Sequence, residues 1–178
     1  VLYCDGASRG NPGPSSIGAV LYDPEGEEAA TISGAIGVTT NNVAEYEALI
    51  AGLEAAIEAE VTDLEIRLDS QLLVRQITGE YRVKAANLKP LYLRVARLLR
   101  RIETVSVKHV RRELNTVADA LANEALDALD ALDEDLPRAL LSLKGHPFVA
   151  KAGGLGDAPV GFDDQVRVFG HKVIGLVT

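Results

Sequence analysis

The chain opens with three strand-forming segments that are separated only by turn sequences. VLYCD at residues 1–5, IGAVLYD and ATISGAIG are rich in apolar residues, whereas DGASRGNPGPSS and PEGEE between them carry turn formers such as Gly, Pro, Asn and Ser. Neither link contains a helical pattern, and antiparallel strands can be joined without a crossover helix. The start of the chain therefore predicts an antiparallel meander.

Helix and strand patterns alternate beyond the meander. TTNN supplies helix N-cap residues before an apolar pattern of helical spacing, and VTDLEIRLD then alternates as a half-buried strand does. Two helices (SQLLVRQITG and NLKPLYLRVARLLRRIE), a fifth strand (TVSVKHV) and a last helix with Val117, Leu121 and Leu129 inward complete the order βββαβααβα. This order predicts an α/β fold: a five-stranded mixed sheet flanked by helices, with strands 1–3 antiparallel and strands 4 and 5 parallel to strand 1.

The character of the sequence changes after about Asp130. Glycines become frequent from Lys151, QVRVFGHKVIGLV resembles a hairpin, and LDEDLPRALLSLKGHPFV suggests a further helix turn, but the segment holds no repeat and no chemical motif. We expect one domain at residues 1–130 and a C-terminal extension at residues 131–178 whose role the sequence does not assign.

Composition bounds the class of protein. Apolar residues make up 47% of the 178 residues, without an uninterrupted run long enough to span a membrane or the pattern of a signal peptide. The chain begins at Val1 and contains no methionine, which indicates that the initiator residue is not included. The single cysteine, Cys4, excludes an internal disulfide and suits a reducing cytoplasm. We expect a cytoplasmic protein that is a monomer and does not contact a membrane.

Positive charge is concentrated in one stretch, although the net charge is −8. Ten of the eighteen Lys and Arg residues lie between Arg82 and Arg112, where Glu103 is the single acid. A local basic surface on an acidic protein can hold a phosphate backbone. The alternative is a solvated helix face whose cations pair with acidic neighbours.

Four carboxylates occupy strand ends and helix starts. Asp5 follows the apolar run VLYC and closes the first strand pattern, and Asp69 closes the fourth. Glu45 lies where the first helix begins, and Asp119 lies near the start of the last helix. If strands 1 and 4 lie side by side, the four acids converge, and their mutual repulsion requires cations. Oxygen donors of this kind suit Mg²⁺, which serves phosphate chemistry. Singly, each acid has an ordinary structural explanation as a turn former or a helix-dipole partner.

The chain resembles the type 1 ribonucleases H. Four segments carry the resemblance, in the family's order and spacing: DGASRGNPGP, TNNVAEYEAL, LDSQLLV and HVRRELNTVADALANEA. They cover about residues 1–130, and the likeness is strongest to the short archaeal and actinobacterial-like members that lack a large basic protrusion. The resemblance implies an RNase H-like fold and an endonuclease that hydrolyses the RNA strand of RNA–DNA hybrids, leaving 5′-phosphate and 3′-hydroxyl ends.

The resemblance also implies site residues. Asp5, Glu45, Asp69 and Asp119 match the catalytic carboxylates that hold two Mg²⁺ ions with substrate, Mn²⁺ being a substitute, and Glu45 rather than Glu47 fits the spacing from Asn42. The family's contacts to the hybrid match Asn11, Asn41, Asn42 and Gln71, of which Asn41 and Asn42 have an alternative as helix caps.

A basic residue that precedes the last Asp assists the reaction in the family. His109 matches it without a gap, Arg112 is the rival candidate, and His109 has an alternative as the end of strand 5.

Three alternatives to this function and context stay open. The chain is a DNA-cutting nuclease of the same broad fold, or a binding module without activity. In the third alternative, the domain stands at the head of a longer chain with a phosphatase-like partner.

Overall fold

The computed structural model describes residues 1–135, and the side chains of residues 1–131. The strands are β1 (Leu2–Ser8), β2 (Gly13–Tyr22), β3 (Glu28–Thr39), β4 (Asp63–Leu68) and β5 (Thr104–His109). The helices are α1 (Asn41–Glu58), α2 (Gln71–Ile77), α3 (Lys89–Leu99) and α4 (Thr116–Asp135), and a 3₁₀ turn at Arg112–Leu114 precedes α4. Helix α4 continues past residue 130, while the hairpin and the helix turn expected beyond residue 135 lie outside the described residues.

The strands form one mixed sheet in the order β3-β2-β1-β4-β5. Strand β1 pairs antiparallel with β2 and parallel with β4, β2 pairs antiparallel with β3, and β4 pairs parallel with β5. The predicted fold class and strand directions are therefore confirmed. No helix within residues 1–135 has the length and apolar character needed to cross a membrane.

The main core lies between one face of the sheet and helices α1 and α3. Leu64, Ile66 and Leu68 of β4 are buried, as their alternation predicts, and so are Tyr46, Leu49, Ile50 and Leu53 of α1. Gly52 of α1 lies directly over β1, where an added Cβ would be 2.8 Å from a methyl carbon of Leu2 and 3.0 Å from the sulfur of Cys4. The central strand and the first helix are thus in close contact.

Helix α4 covers the opposite face of the sheet through small residues. Ala118, Ala122 and Leu126 are buried at a spacing of four, and the Ser16 hydroxyl donates to the Ala122 carbonyl at 2.5 Å. The expectation that Val117 points inward is wrong: its side chain is 40% exposed. Residues at i, i+4 and i+8 share a helix face, and Ala118 rather than Val117 begins the face that meets the sheet.

Two glycines let the helices approach the centre of the sheet. An added Cβ on Gly6 would lie 2.2 Å from the backbone nitrogen of Glu45 in α1, and one on Gly18 would lie 2.1 Å from the carbonyl oxygen of Ala118 in α4. Gly18 is the direct partner of Asp5 in the β1–β2 pair. The start of α1 therefore reaches the strand that carries Asp5, and the first turn of α4 reaches the neighbouring strand β2 at the partner of Asp5.

We predict that Gly18→Ala destabilises the protein, because its Cβ would overlap backbone atoms of α4 that cannot move independently. Overpacking of this kind costs about 1–3 kcal/mol of unfolding free energy, measured by urea denaturation of the full chain. Gly34→Ala is the matched control, since a Cβ there meets nothing within 4 Å and Gly34 lies in the same sheet. An equal loss in both variants would contradict the close approach of α4.

Candidate active site

The parallel pairing of β1 and β4 places two acids next to each other. Cys4 pairs with Leu68, and Asp5 and Asp69 are the residues that follow this pair on the two strands. Strand alternation turns Asp5 toward the face covered by α4, since Cys4 and Gly6 face α1. Asp119 in the first turn of α4 is close enough to hydrogen-bond with Asp5. The structure thus brings Asp5, Asp69 and Asp119 together.

Asp5 is the most perturbed of these acids. Its side chain is 9% exposed, and its Oδ1 accepts a hydrogen bond from the Gly6 amide at 2.9 Å. Burial, followed by repulsion from Asp69 and the hydrogen bond and charge of Asp119, raises the pKa of Asp5 to about 7. The amide of Gly6 opposes the rise without offsetting it, so the site favours either a proton or a cation at Asp5.

Glu45 enters the same cleft from α1. Asp5, Glu45 and Asp69 line one small cleft together with Ser70. The Glu45 carboxylate accepts hydrogen bonds from the Asn41 side-chain amide at 2.9 Å and from the Ser70 hydroxyl at 2.6 Å. Burial raises the pKa of Glu45, and these two donors act in the opposite direction. Glu45 is therefore desolvated but held in place.

Glu47 lies in a different environment. Burial raises its pKa, and the charges that act on it are those of Arg94 and Glu54 rather than those of the other candidate acids. Arg94 and Glu54 are themselves joined by an exposed ion pair of 2.7 Å. The interpretation of Glu45 as the acid that joins the cluster agrees with this arrangement. Arg94 belongs to the basic stretch between Arg82 and Arg112. Its pair with Glu54 agrees with the alternative in which cations of this stretch pair with acidic neighbours.

Asn115 is a residue of this site that the sequence reasoning did not identify. Its side chain is 1% exposed, and its Nδ2 donates to the carbonyl oxygen of Cys4 at 2.9 Å and to Oδ1 of Asp69 at 3.1 Å. In the sequence, an Asn directly before a helix reads as an N-cap. The sequence feature that could have identified Asn115 is its position four residues before the candidate ligand Asp119.

The two candidates for the basic residue make different contacts. Arg112 donates to Oδ1 of Asp119 at 2.6 Å, and this hydrogen bond, with the charges of Asp119, Asp5 and Asp69, raises the pKa of Arg112. The Nε2 of His109 lies 3.1 Å from the backbone oxygen of Asp69, not from a carboxylate. Both residues line an open groove of about 670 Å³ that also includes Asp69.

The residues predicted to contact the hybrid differ in their hydrogen bonds and in their exposure. The Asn11 side-chain oxygen accepts from the backbone amide of Asn41 at 3.2 Å, and Asn42 and Gln71 are exposed in the first turns of α1 and α2. The alternative role of Asn41 and Asn42 as caps is wrong, because Thr40 is the N-cap of α1 and accepts from the Val43 amide. Thr40 precedes the first helical residue, which is the position where a side-chain oxygen can reach an unpaired helix amide.

The donor set fits a hard cation chemically. Asp5, Glu45, Asp69 and Asp119 offer carboxylate oxygens, the ligands that Mg²⁺ prefers, and Mg²⁺ keeps several waters so that one or two carboxylates suffice. Within residues 1–135, no three His, Cys, Asp or Glu side chains converge tightly enough to form a ready-made ion site. In this arrangement Arg112 pairs with Asp119, Asn41 and Ser70 donate to Glu45, and Asn115 donates to Asp69.

The fold and the acids at the centre of its sheet define the ribonuclease H class of protein, and comparison with known proteins agrees. The reverse transcriptase-like family model matches residues 3–125. The chain is 49% identical over 125 residues to ribonuclease HI of Halobacterium salinarum, a match that covers 70% of this chain and 63% of that protein. The crystal structure of RNase H1 from the same archaeon matches with a TM-score of 0.70 and 48% identity, over 71% of this chain and 96% of the other.

Two further relatives are informative. The bifunctional protein Rv2228c of Mycobacterium tuberculosis is 43% identical over 129 residues, which is 72% of this chain and 35% of that protein. LC11-RNase H1, solved in complex with an RNA/DNA hybrid, matches with a TM-score of 0.68 and 44% identity, over 72% of this chain and 96% of the other. The chain belongs to the reverse transcriptase-like family, among the type 1 ribonucleases H. The chain spans less than two thirds of the length of ribonuclease HI from Halobacterium salinarum and of Rv2228c.

We predict that Asp5→Asn stabilises the metal-free protein above neutral pH. The folded-state pKa of Asp5, about 7, exceeds its ordinary value of 3.8, so its favourable contribution is complete below pH 4 and is lost as the pH rises through 7. At pH 8 in EDTA, the free energy of unfolding of the variant should exceed that of the wild type by about 4 kcal/mol, since the pKa rises from 3.8 to about 7, whereas the two should differ little at pH 4. Asp63→Asn, at the exposed start of β4, is the control. A constant difference across this pH range would contradict the prediction.

Proposed function

We propose that this protein is an endoribonuclease that hydrolyses the RNA strand of RNA–DNA hybrids. The observation that carries the proposal is the cluster of Asp5, Asp69 and Asp119. The buried carboxylate of Asp5 lies with the half-buried carboxylates of Asp69 and Asp119, and Arg112, which pairs with Asp119, supplies too little positive charge to neutralise them. Such a cluster favours divalent metal and phosphate chemistry. The similarity to LC11-RNase H1, whose structure includes an RNA/DNA hybrid, supports the choice of substrate.

The proposed cofactor is Mg²⁺, two ions with substrate, with Mn²⁺ as a substitute. Asp5 interacts with both Asp69 and Asp119, so it is the carboxylate best suited to contact both ions. The other proposed ligands are Glu45, Asp69 and Asp119. Bound magnesium would supply an activated water and would stabilise the leaving oxygen of an in-line displacement. When water attacks the phosphorus and displaces the 3′-oxygen, the products carry 5′-phosphate and 3′-hydroxyl ends.

The residues that hold the acids also limit their motion. Ser70 donates to Glu45 and accepts from the Leu73 amide at the start of α2, so the same hydroxyl fixes the carboxylate and caps the helix. Asn41 holds the other oxygen of Glu45. A carboxylate restrained on both oxygens loses little freedom when a cation binds, which favours preorganisation.

Selectivity for RNA would come from the polar groups at the edge of the cleft. A nuclease that distinguishes RNA from DNA must sense the 2′-hydroxyl, which is both a donor and an acceptor. Asn11, Asn41, Asn42 and Gln71 carry side-chain amides with both functions. The exposed amides of Asn42 and Gln71 are free to reach the minor groove, while Asn11 aligns the start of α1 through its bond to Asn41.

Arg112 is the stronger candidate for the basic residue that assists the reaction. Its guanidinium already contacts Asp119, and it has the donors to bind a phosphate oxygen. His109 contacts a backbone oxygen instead. A cytoplasmic location, a monomeric state and the division into a domain at residues 1–130 and a C-terminal extension at residues 131–178 remain predictions.

The proposal is tested by incubating the purified chain with Mg²⁺ and a labelled RNA–DNA hybrid. We expect cleavage of the RNA strand, and a loss of at least about 100-fold in Glu45→Gln, which removes one proposed ligand charge. Glu47→Gln, two residues further along the same helix, is the matched control and should stay within twofold of wild type. An intact hybrid would overturn the proposal, and cleavage of duplex DNA would favour a DNA nuclease of the same fold.

The basic residue is tested by a pair of substitutions. We expect Arg112→Ala to lower kcat on the hybrid roughly 10–100-fold, because it contacts a proposed metal ligand, and His109→Ala to lower it less than threefold. Single-turnover cleavage at saturating Mg²⁺ separates the chemical step from product release. The opposite order of the two effects would assign the role to His109.

A further inference from the structure

The side chain of Asn115 connects three elements of the candidate site. It follows the 3₁₀ turn that carries Arg112 and directly precedes α4, and its amide donates both to Cys4 at the centre of β1 and to Asp69 at the end of β4. Its backbone oxygen accepts from the amide of Asp119 at 3.1 Å. One buried residue therefore contacts the segments that carry Asp5, Asp69 and Asp119.

Hydrogen-bond chemistry fixes the orientation of this amide. The two atoms that Nδ2 faces, the carbonyl oxygen of Cys4 and the carboxylate oxygen of Asp69, can only accept. With the amide reversed, Oδ1 would face two other acceptors and the contacts would become repulsive. Asn115 is thus a donor to Asp69, and the bond favours one position of that carboxylate.

Helix capping does not account for the residue. An Asn at an N-cap normally uses Oδ1 to accept from a backbone amide in the first turn. Here Oδ1 has no hydrogen-bond partner in the described part of the chain, although the atom is buried. An orphaned buried acceptor is unfavourable, so the side chain is oriented for its two donated bonds rather than for the helix.

We propose that Asn115 is a positioning residue that sets the Asp69 carboxylate for metal binding and fixes α4, with Asp119, to the central strand. The inference rests on the proposed function for its effect on hybrid cleavage. Its effect on metal affinity does not depend on the substrate. Partners that orient a metal ligand in this way typically contribute 10–100-fold to metal affinity or activity.

Two substitutions separate positioning from capping. Asn115→Asp keeps the shape and the capping oxygen but removes the donor, and Asn115→Ser keeps a capping oxygen, adds no charge and is too short to bridge to Asp69. The matched control is Asn123→Ser. Asn123 lies in α4, the helix that follows Asn115, and its Nδ2 donates to the backbone oxygen of Asp119 at 2.8 Å. Its side chain is exposed and makes no hydrogen bond to a candidate ligand side chain within the described residues.

We expect both Asn115 variants to bind Mn²⁺ about 10-fold more weakly than wild type in the absence of hybrid, measured by electron paramagnetic resonance. On the hybrid, kcat should fall roughly 10–100-fold with KM within threefold. Asn123→Ser should match wild type in both assays. Thermal unfolding in EDTA identifies a variant that does not fold. If Asn115→Asp does not fold, the Mn²⁺ affinity and kcat of Asn115→Ser alone test the inference.

A double substitution gives a readout that a general structural defect would not change. If Asn115 acts through Asp69, then Asn115→Ser should weaken Mn²⁺ binding little further in an Asp69→Asn background, so the two effects are not additive. Additive effects, or wild-type Mn²⁺ affinity and kcat in Asn115→Ser, would overturn the inference. A wild type that leaves the hybrid intact would overturn the proposed function alone, since the Mn²⁺ affinities still test Asn115.

Discussion

Repulsion between a buried carboxylate, Asp5, and two half-buried ones, Asp69 and Asp119, is the interaction on which the rest of this structure depends. Asp5 lies on the central strand, where the charges of Asp69 and Asp119 both act on it, and its burial adds to the effect of this repulsion. Such an arrangement is unfavourable for an isolated fold. It persists because a large core on the opposite face, built from β1, β4 and α1, holds the strands in place independently of the acids.

Each acid accepts a hydrogen bond from a neutral or cationic donor, either in its own strand or helix or in a neighbouring segment. The Gly6 amide donates to Asp5, Asn41 and Ser70 donate to Glu45, Asn115 donates to Asp69, and Arg112 pairs with Asp119. Neutral donors restrain a carboxylate without cancelling its charge. The site therefore keeps its attraction for cations while its geometry is defined, which is the combination that metal-dependent phosphate chemistry requires.

Much of the fold followed from the sequence because its signals are local and repeated. The alternation of Leu64, Ile66 and Leu68 identified β4, and the turn sequences identified the meander. Val117 was assigned to the wrong face because apolar character alone does not reveal that α4 packs through alanines against Gly18. Asn115 escaped notice for a related reason: its meaning lies in contacts with Cys4 and Asp69, which are distant in sequence and become visible only when β1, β4 and α4 are assembled.

The close approach at Gly6 and Gly18 has a consequence for how activity depends on temperature. Asp5 lies within β1 and Asp69 directly follows β4, while Glu45 and Asp119 lie near the starts of two helices that are pressed onto the sheet at Gly6 and Gly18. Local fluctuations of low free energy belong mostly to loops and termini. Heating should therefore leave the arrangement of the acids intact until the sheet itself melts, so loss of the site and loss of the fold should occur as one event.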